Sequence, residues 1–134
     1  MNLTDHACFR YAERIVNLER KEAKRYAIRN RDKIVRYVTK MIDHATFIWC
    51  GRLGSNQERN FYLRDSIILV TDKHDETVIT LYRADYGFSE ETNRQFVKEL
   101  LEEIEKDQDD IKKEELKIKL INSIEYRFEL ETVS

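Results

Sequence analysis

Three residues near the start of the chain, His6, Arg10 and Arg14, have a spacing that suits phosphate chemistry. Residues at i, i+4 and i+8 lie along one stripe of a helix surface. The imidazole titrates near neutral pH, while the two guanidiniums stay charged and hold anions through forked hydrogen bonds. One group can therefore move a proton while two others bind a phosphate, and this chemistry needs no metal ion.

The same residues also have ordinary structural roles in a charged helix. A histidine in a first helical turn is often a surface or capping residue. Arg10 can pair with Glu13, and Arg14 can pair with Asp5 or Asn17, each for about 0.3–0.5 kcal/mol, as in other helix-surface pairs. The spacing alone leaves both interpretations open.

The composition indicates a single charge-rich domain that spans residues 1–134. Of the 134 residues, 41% are hydrophobic and 37% are charged, which suits one modest core. There is no apolar run of about 18 residues and no secretory signal, so neither a membrane span nor export is expected. Cys8 and Cys50 do not suggest a disulfide framework, and the expected location is cytoplasmic.

The motifs predict no cofactor and no metal. The sequence contains neither a glycine-rich phosphate loop nor a nucleophile elbow. A zinc site built from His6, Cys8, His44 and Cys50 would lack the usual spacing between metal ligands. The candidate chemistry therefore depends on side chains alone.

The net charge of −2 conceals opposite charges at the two ends of the chain. Residues 1–41 contain 11 Lys and Arg against 5 Asp and Glu, whereas residues 89–134 contain 8 against 14. A basic first third attracts nucleic acid, and an acidic end repels it or pairs with the basic part. The structural alternative is that these charges belong to solvated helix faces, which are common in soluble proteins.

Hydrophobic periodicity divides the chain into four blocks and predicts an α+β fold, with the N-terminal helices packed on an antiparallel sheet. Thr4 or Asp5 is a suitable first N-cap, a break is expected near Asn30, and Ser89 begins the amphipathic helix. The blocks are basic helices at 1–45, the β-sheet at 46–85, a helix at 89–107 and a β-hairpin at 115–131.

The last predicted strand of the sheet contains two further candidates, Thr80 and Tyr82. Strict alternation would place Val78, Thr80 and Tyr82 on one face and Ile79 and Leu81 on the other. Threonine is a common strand residue and tyrosine commonly packs, so both side chains also have ordinary structural roles.

The C-terminal tail is predicted to form the hairpin. Between Leu116 and Leu130 the apolar residues occupy alternate positions, which on a helix would scatter around the circumference. A three-residue loop at 121–123 aligns apolar residues across the two strands and pairs Ile118 with Tyr126.

Two parts of the chain resemble small metal-independent ribonuclease-type domains. They are Leu3–Ala7 (Leu-Thr-Asp-His-Ala) followed by Arg10 and Arg14, and the strand pair Ser66–Asp72 and Thr77–Arg83. That superfamily includes barnase, EndoU, colicin ribonucleases and RelE-type toxins. The chain also resembles small proteins of bacteriophages and of prophages in Gram-positive bacteria, and the similarity covers roughly residues 3–85.

The resemblance implies a compact sheet and a site formed by His6, Arg10, Arg14 and Thr80, with Tyr82 as a further member. The implied reaction is attack of an RNA 2′-hydroxyl on the adjacent phosphate, which gives a cyclic phosphate and a free 5′-hydroxyl. His6 would act as base or acid, and the two arginines would hold the phosphate. Thr80 and Tyr82 would orient the phosphate through their hydroxyl groups.

A second functional class is a non-catalytic phage or prophage protein that binds and modulates a host protein. The acidic tail and its hairpin would supply the contact, because an exposed strand edge pairs with a partner. The expected partners are RNA or a host protein, without a membrane, and the oligomeric state is left open, with a dimer compatible. The chemistry of the basic stripe favours RNA.

Overall fold

The computed structural model describes the backbone of residues 1–53 and 56–133, and the side chains of residues 1–53 and 56–128. In these residues a five-stranded mixed sheet lies between two groups of helices, which confirms the α+β class. In chain order the elements are β1 (Asn2–Leu3), α1 (Asp5–Arg10), a π-helical turn (Tyr11–Ile15), α2 (Arg20–Arg29), α3 (Arg31–Asp43), β2 (Thr46–Gly51), β3 (Arg59–Arg64), β4 (Ile67–Asp72), β5 (Thr77–Arg83), α4 (Glu90–Lys106), α5 (Asp110–Ile121) and α6 (Ser123–Val133).

The helix signals in the basic N-terminal part are confirmed. Thr4 caps α1, because its hydroxyl accepts a hydrogen bond from the backbone N–H of Ala7 at 2.9 Å. The break near Asn30 separates α2 from α3. After Arg10 the helix widens into the π-helical turn, in which hydrogen bonds span five residues instead of four.

The sheet departs from the purely antiparallel arrangement predicted from the sequence. Strands β2 to β5 form an antiparallel meander, but β1 joins the outer edge of β5 in parallel. Only Asn2 and Leu3 pair there, beside Thr77 and Val78, and two residues are too few to carry a periodic signal. Most of the outer edge of β5 therefore needs hydrogen-bond donors from elsewhere.

The predicted alternation along β5 is wrong, because a bulge interrupts it. Val78 and Thr80 are two residues apart, yet they pair with adjacent residues of β4, Thr71 and Val70. The additional residue between them reverses the alternation, so that Val78 and Leu81 face the same core.

Each face of the sheet has its own core. The N-terminal core, on the side of α1 to α3, contains Leu3, Ala7, Cys8, Tyr11, Ala12, Ala23, Ala27, Ile34, Val38, Leu69, Val78 and Leu81. The C-terminal core, on the side of α4 and α5, includes Phe61, Leu63, Ile68, Val70, Val97, Leu101, Ile104, Leu116 and Leu120. Alternate residues of the central strand β4 thus contribute to opposite cores, as expected of a strand covered on both faces.

The predicted C-terminal β-hairpin is wrong, because α5 and α6 occupy its place. Leu116 and Leu120, one helical turn apart, are buried, whereas Ile118 between them is exposed. α5 consists mainly of Lys, Glu, Leu and Ile, of which the first three are strong helix formers. Asp109 also caps the helix by accepting a hydrogen bond from the N–H of Ile111 at 3.0 Å. Helix propensity and capping outweigh the alternating pattern.

The start of α6 is fixed to the chain that follows β5. The hydroxyl of the buried Ser123 donates to the carbonyl of Arg83 and accepts from the N–H of Asp85 at 2.9 Å. The hydroxyl of Tyr86 donates to the carbonyl of Lys119 at 3.0 Å. These partly buried contacts join the end of β5 and the connection to α4 with α5 and α6, and they hold the C-terminal helices on the sheet.

Two substitutions in α5 distinguish this helix from a hairpin. Leu120 is 1% exposed and Ile118 is 54% exposed. We expect Leu120→Ala to lower the free energy of unfolding by about 2–5 kcal/mol, because it removes a buried side chain and leaves a cavity. Ile118→Ala should change it by no more than about 0.5 kcal/mol, as for other surface changes. In a hairpin both residues would face the same side, so equal losses in urea denaturation would contradict the helix.

Candidate functional site

α1 lies along the outer edge of β5, beyond the point where β1 ends. The backbone N–H of Thr4 donates to the carbonyl of Val78 at 3.2 Å, and the Thr4 hydroxyl donates to the carbonyl of Ile79 at 3.0 Å. Farther along the edge, the guanidinium of Arg14 donates to the carbonyl of Leu81 at 2.6 Å. The N-terminal segment thereby supplies donors that β1 is too short to provide.

Arg14 and Tyr82 are brought together at this edge. The guanidinium carbon of Arg14 lies 4.7 Å from the centroid of the Tyr82 ring, which is a cation–π distance. Burial lowers the pKa of Arg14 and raises the pKa of Tyr82. Because Arg14 is half-buried and bound to the backbone of β5, its primary role is to attach the π-helical turn to the sheet.

His6 and Arg10 form a second pair, on the exposed flank of α1. The Nε–H of Arg10 donates to Nε2 of His6 at 3.4 Å. The same guanidinium also bonds the carboxylate of Glu13 at 2.5 Å, which is the pairing that the sequence offered as an alternative. An imidazole nitrogen that accepts a hydrogen bond carries no proton, so this geometry requires neutral His6.

The surroundings of His6 favour the same neutral state. Partial burial, followed by the positive charges of Arg10 and Arg14, holds the pKa of His6 below its ordinary value of 6.5. At neutral pH His6 is therefore suited to accept a proton. The unfolded chain binds that proton more tightly, so the stability linked to His6 is present above pH 6.5 and decreases as the pH falls below it.

The structure does not join Thr80 to these side chains. Thr80 pairs with Val70 of β4, two positions before Tyr82 on the strand. Within the residues whose side chains are described, no hydrogen bond or ion pair connects Thr80 to His6 or to either arginine. We therefore define the α1 cluster as the following five residues: His6, Arg10, Glu13, Arg14 and Tyr82.

The stripe read from the sequence is also interrupted inside the α1 cluster. Arg14 lies in the π-helical turn, where the α-helical spacing of 3.6 residues no longer applies. Arg10 consequently contacts His6, while Arg14 contacts β5 and Tyr82. A π-helical turn leaves no recognisable periodic signal in so short a segment, so the sequence does not reveal it.

A groove adjoins His6 between α1 and α2. Its volume is about 510 Å³, and its lining combines apolar and charged side chains. The residues of this α1–α2 groove are Asp5, His6, Cys8, Phe9, Lys24, Ala27, Ile28 and Arg31. Arg31 is already bound to Asp5 at 2.7 Å and to the carbonyl of Leu3 at 2.9 Å. Sequence reasoning missed this groove, although an isoleucine among the cations of α2 is a signal for it.

The outer sides of α2 and α3 form a basic surface, which consists of Arg20, Lys21, Lys24, Arg25, Arg29, Lys33, Arg36 and Lys40. All eight are exposed, and Arg25 is the only one with an ion pair in the described part of the chain, to Glu22 at 3.4 Å. Lys33 lies 5.8 Å from the ring centroid of the exposed Tyr37. Apart from Arg25, the cations of the basic surface therefore remain available to an anionic partner.

No protein-family model, curated protein or solved structure matches this chain. The resemblance to metal-independent ribonuclease-type domains has no support from these comparisons and stays a prediction. The function must accordingly be inferred from the α1 cluster, the α1–α2 groove and the basic surface.

Among the described side chains, those of residues 1–53 and 56–128, no group of three or more His, Cys, Asp or Glu is arranged to hold a metal ion. The helices in residues 1–53 and 56–133 are too short or too polar to cross a membrane.

The electrostatic contact between Arg10 and His6 can be measured directly. Arg10→Gln should raise the pKa of His6, because it removes a positive charge that disfavours the imidazolium form. Arg25→Gln is the matched control, since Arg25 has the same i,i+3 pairing with a glutamate but does not contact His6. The pKa of His6 in each variant is measured from imidazole chemical shifts in an NMR titration. An unchanged His6 pKa in Arg10→Gln would contradict the contact.

Proposed function

We propose that this protein binds RNA through the basic surface and cleaves it beside His6, without the help of a metal ion. The observation that carries the proposal is the set of seven exposed Lys and Arg residues of the basic surface that have no carboxylate partner among the described residues. Each such cation can displace a counterion from a nucleic-acid phosphate, which favours binding to a polyanion.

The arrangement of the cations suits an extended backbone. On α3, Lys33, Arg36 and Lys40 are at positions i, i+3 and i+7, which share one side of a helix. The exposed ring of Tyr37 lies beside them and offers a surface on which a base can stack. Cations that follow a helix, together with an exposed aromatic ring, are typical of surfaces that bind single-stranded nucleic acid.

His6 supports RNA as the substrate. Nε2 of neutral His6 accepts the N–H of Arg10 in the free protein, so it can take the proton of a 2′-hydroxyl once that guanidinium has turned to the phosphate. The 2′-oxygen then attacks the adjacent phosphorus and the 5′-oxygen leaves. The products are a 2′,3′-cyclic phosphate and a 5′-hydroxyl. The positive charge of Arg10 beside His6 would stabilise the charge that develops on the phosphate. DNA lacks the 2′-hydroxyl and would bind without being cleaved.

The α1 cluster also limits the expected rate. Arg10 is paired with Glu13, and Arg14 is bound to the carbonyl of Leu81, so neither guanidinium is fully available to a phosphate. His6 is the only histidine of the cluster. Because it acts as the base, solvent must protonate the leaving oxygen. We therefore expect slow cleavage at a site whose main affinity comes from the basic surface.

Protein binding is the second candidate function. Ile111, Ile118, Ile121 and Ile124 are exposed on α5 and α6, and exposed apolar residues that cluster on a surface often mark a protein contact. The hairpin that would have offered a strand edge does not exist, so a partner would have to contact these helices instead. Binding of RNA by the parent protein, with the salt dependence described next, distinguishes the first candidate from this one.

The basic surface predicts a steep salt dependence. Affinity for a labelled single-stranded RNA should fall as salt rises. In a plot of the logarithm of the association constant against log[salt], each phosphate contact should contribute about −0.7 to the slope. The double variant Lys21→Gln/Lys24→Gln should reduce the magnitude of the slope by up to about 1.4 and weaken binding at low salt. Lys98→Gln/Lys106→Gln makes the same charge change on α4 and should bind like the parent in fluorescence anisotropy. Equal losses in both variants would contradict a localised binding surface.

Cleavage beside His6 has a separate test. His6→Ala should lower the rate of RNA cleavage in EDTA by about 10²–10⁴-fold, the usual effect of removing a general base. His74→Ala removes an exposed histidine in the turn between β4 and β5 and should keep the parent rate. Gel analysis should show a 2′,3′-cyclic phosphate and no cleavage of the DNA analogue. If His6→Ala cleaves as fast as the parent, the catalytic part of the proposal fails.

A further inference from the structure

The geometry points to the α1–α2 groove as the binding site of an unpaired nucleobase, and we propose that it makes the protein selective for single-stranded RNA. This inference rests on the proposed RNA binding and adds a substrate class to it. A duplex keeps its bases paired and stacked, so a groove that takes a base edge and face can be filled only by a single strand or a flipped nucleotide.

The size and lining of the groove fit such an occupant. Its volume of about 510 Å³ lies within the roughly 300–1,000 Å³ range of sites that bind small organic molecules. Phe9, Ala27 and Ile28 form apolar walls. The half-buried Phe9 ring has the Arg10 guanidinium carbon 5.4 Å from its centroid, so it can offer a base only its other face or its edge. Bases stack on aromatic and apolar side chains without regard to sequence, because every base has a π-face.

Ile28 is the least expected residue of this lining. It is 81% exposed, although the neighbouring exposed residues of α2 are cations. An exposed isoleucine contributes nothing to the N-terminal core, whose α2 residues are Ala23 and Ala27. In the groove, however, its side chain can cover one face of a base whose phosphate lies against Lys24.

Charge complementarity links the groove to a polyanion. Lys24 belongs both to the basic surface and to the rim of the groove, and it has no ion pair among the residues described. His6 belongs both to the α1 cluster and to the opposite rim. A strand that follows α2 can therefore place one base in the groove while its sugar and phosphate pass Lys24 and approach His6.

The test compares two exposed isoleucines. Ile28→Ala should weaken binding to a fluorescein-labelled single-stranded RNA by about fivefold or more, which corresponds to roughly 1 kcal/mol for one stacked base. Ile111→Ala is the matched control, because Ile111 is 74% exposed on α5, outside the groove. Ile28→Ala should leave binding to a perfectly paired RNA duplex unchanged, and circular dichroism should show the parent helix content in both variants.

An abasic oligoribonucleotide separates the base from the phosphate. The parent and Ile28→Ala should bind it equally, because no base is present to enter the groove. Equal single-strand affinity in Ile28→Ala and Ile111→Ala, or equal affinity of the parent for single strand and duplex, would overturn this inference and leave RNA binding intact. Absence of binding to every RNA at low salt would overturn both, as would capture by phosphatidylserine vesicles in preference to RNA.

Discussion

The outer edge of β5 determines where the N-terminal helices lie. Backbone groups at a sheet edge need partners when they are covered, and β1 supplies them at only two positions. Thr4 at the start of α1 and Arg14 in the π-helical turn bond the carbonyls farther along. Because these two attachments fix both ends of the segment, they also fix the flank of α1 that carries His6 and Arg10. The position of the candidate site is thus a consequence of completing a sheet edge.

The Lys and Arg side chains of this protein differ in whether they already make hydrogen bonds or ion pairs within the protein. Arg14 is bound to the sheet, Arg31 to Asp5 and the backbone, and Arg10 to Glu13, so each must give up or share a contact to bind a ligand. The exposed cations of the basic surface, apart from Arg25, have no such contacts in the described chain. On binding a ligand, a cation without such contacts loses only its hydration and its side-chain freedom. A cation that already has a partner in the protein also loses that interaction. Affinity is therefore expected from α2 and α3, and chemistry from α1.

Local signals were sufficient for part of this fold. The Thr4 cap, the break at Asn30 and the strands of the meander depend on neighbouring residues, and the sequence predicts them. The bulge before Thr80, the short β1 and the π-helical turn depend on tertiary hydrogen bonds that a single periodic pattern does not encode. In α5, apolar residues at alternate positions indicate a strand. The same pattern also fits an amphipathic helix in which Leu116 and Leu120 are buried and Ile118 between them is exposed. The sequence predicts a site at His6, Arg10, Arg14, Thr80 and Tyr82 but not the groove, because a groove requires two helices at once.

The contacts between α1 and β5 have a kinetic consequence. The hydrogen bond from Thr4 to Ile79 joins residues 75 positions apart, whereas β2 to β5 pair with their sequence neighbours. Short loops close with a smaller loss of chain entropy, so the meander is expected to form early and the N-terminal segment to dock late. By the same reasoning that segment can detach while the rest of the sheet stays folded. Hydrogen exchange would then report a separate, faster opening for the first helices, and the candidate site would last only as long as this docked state.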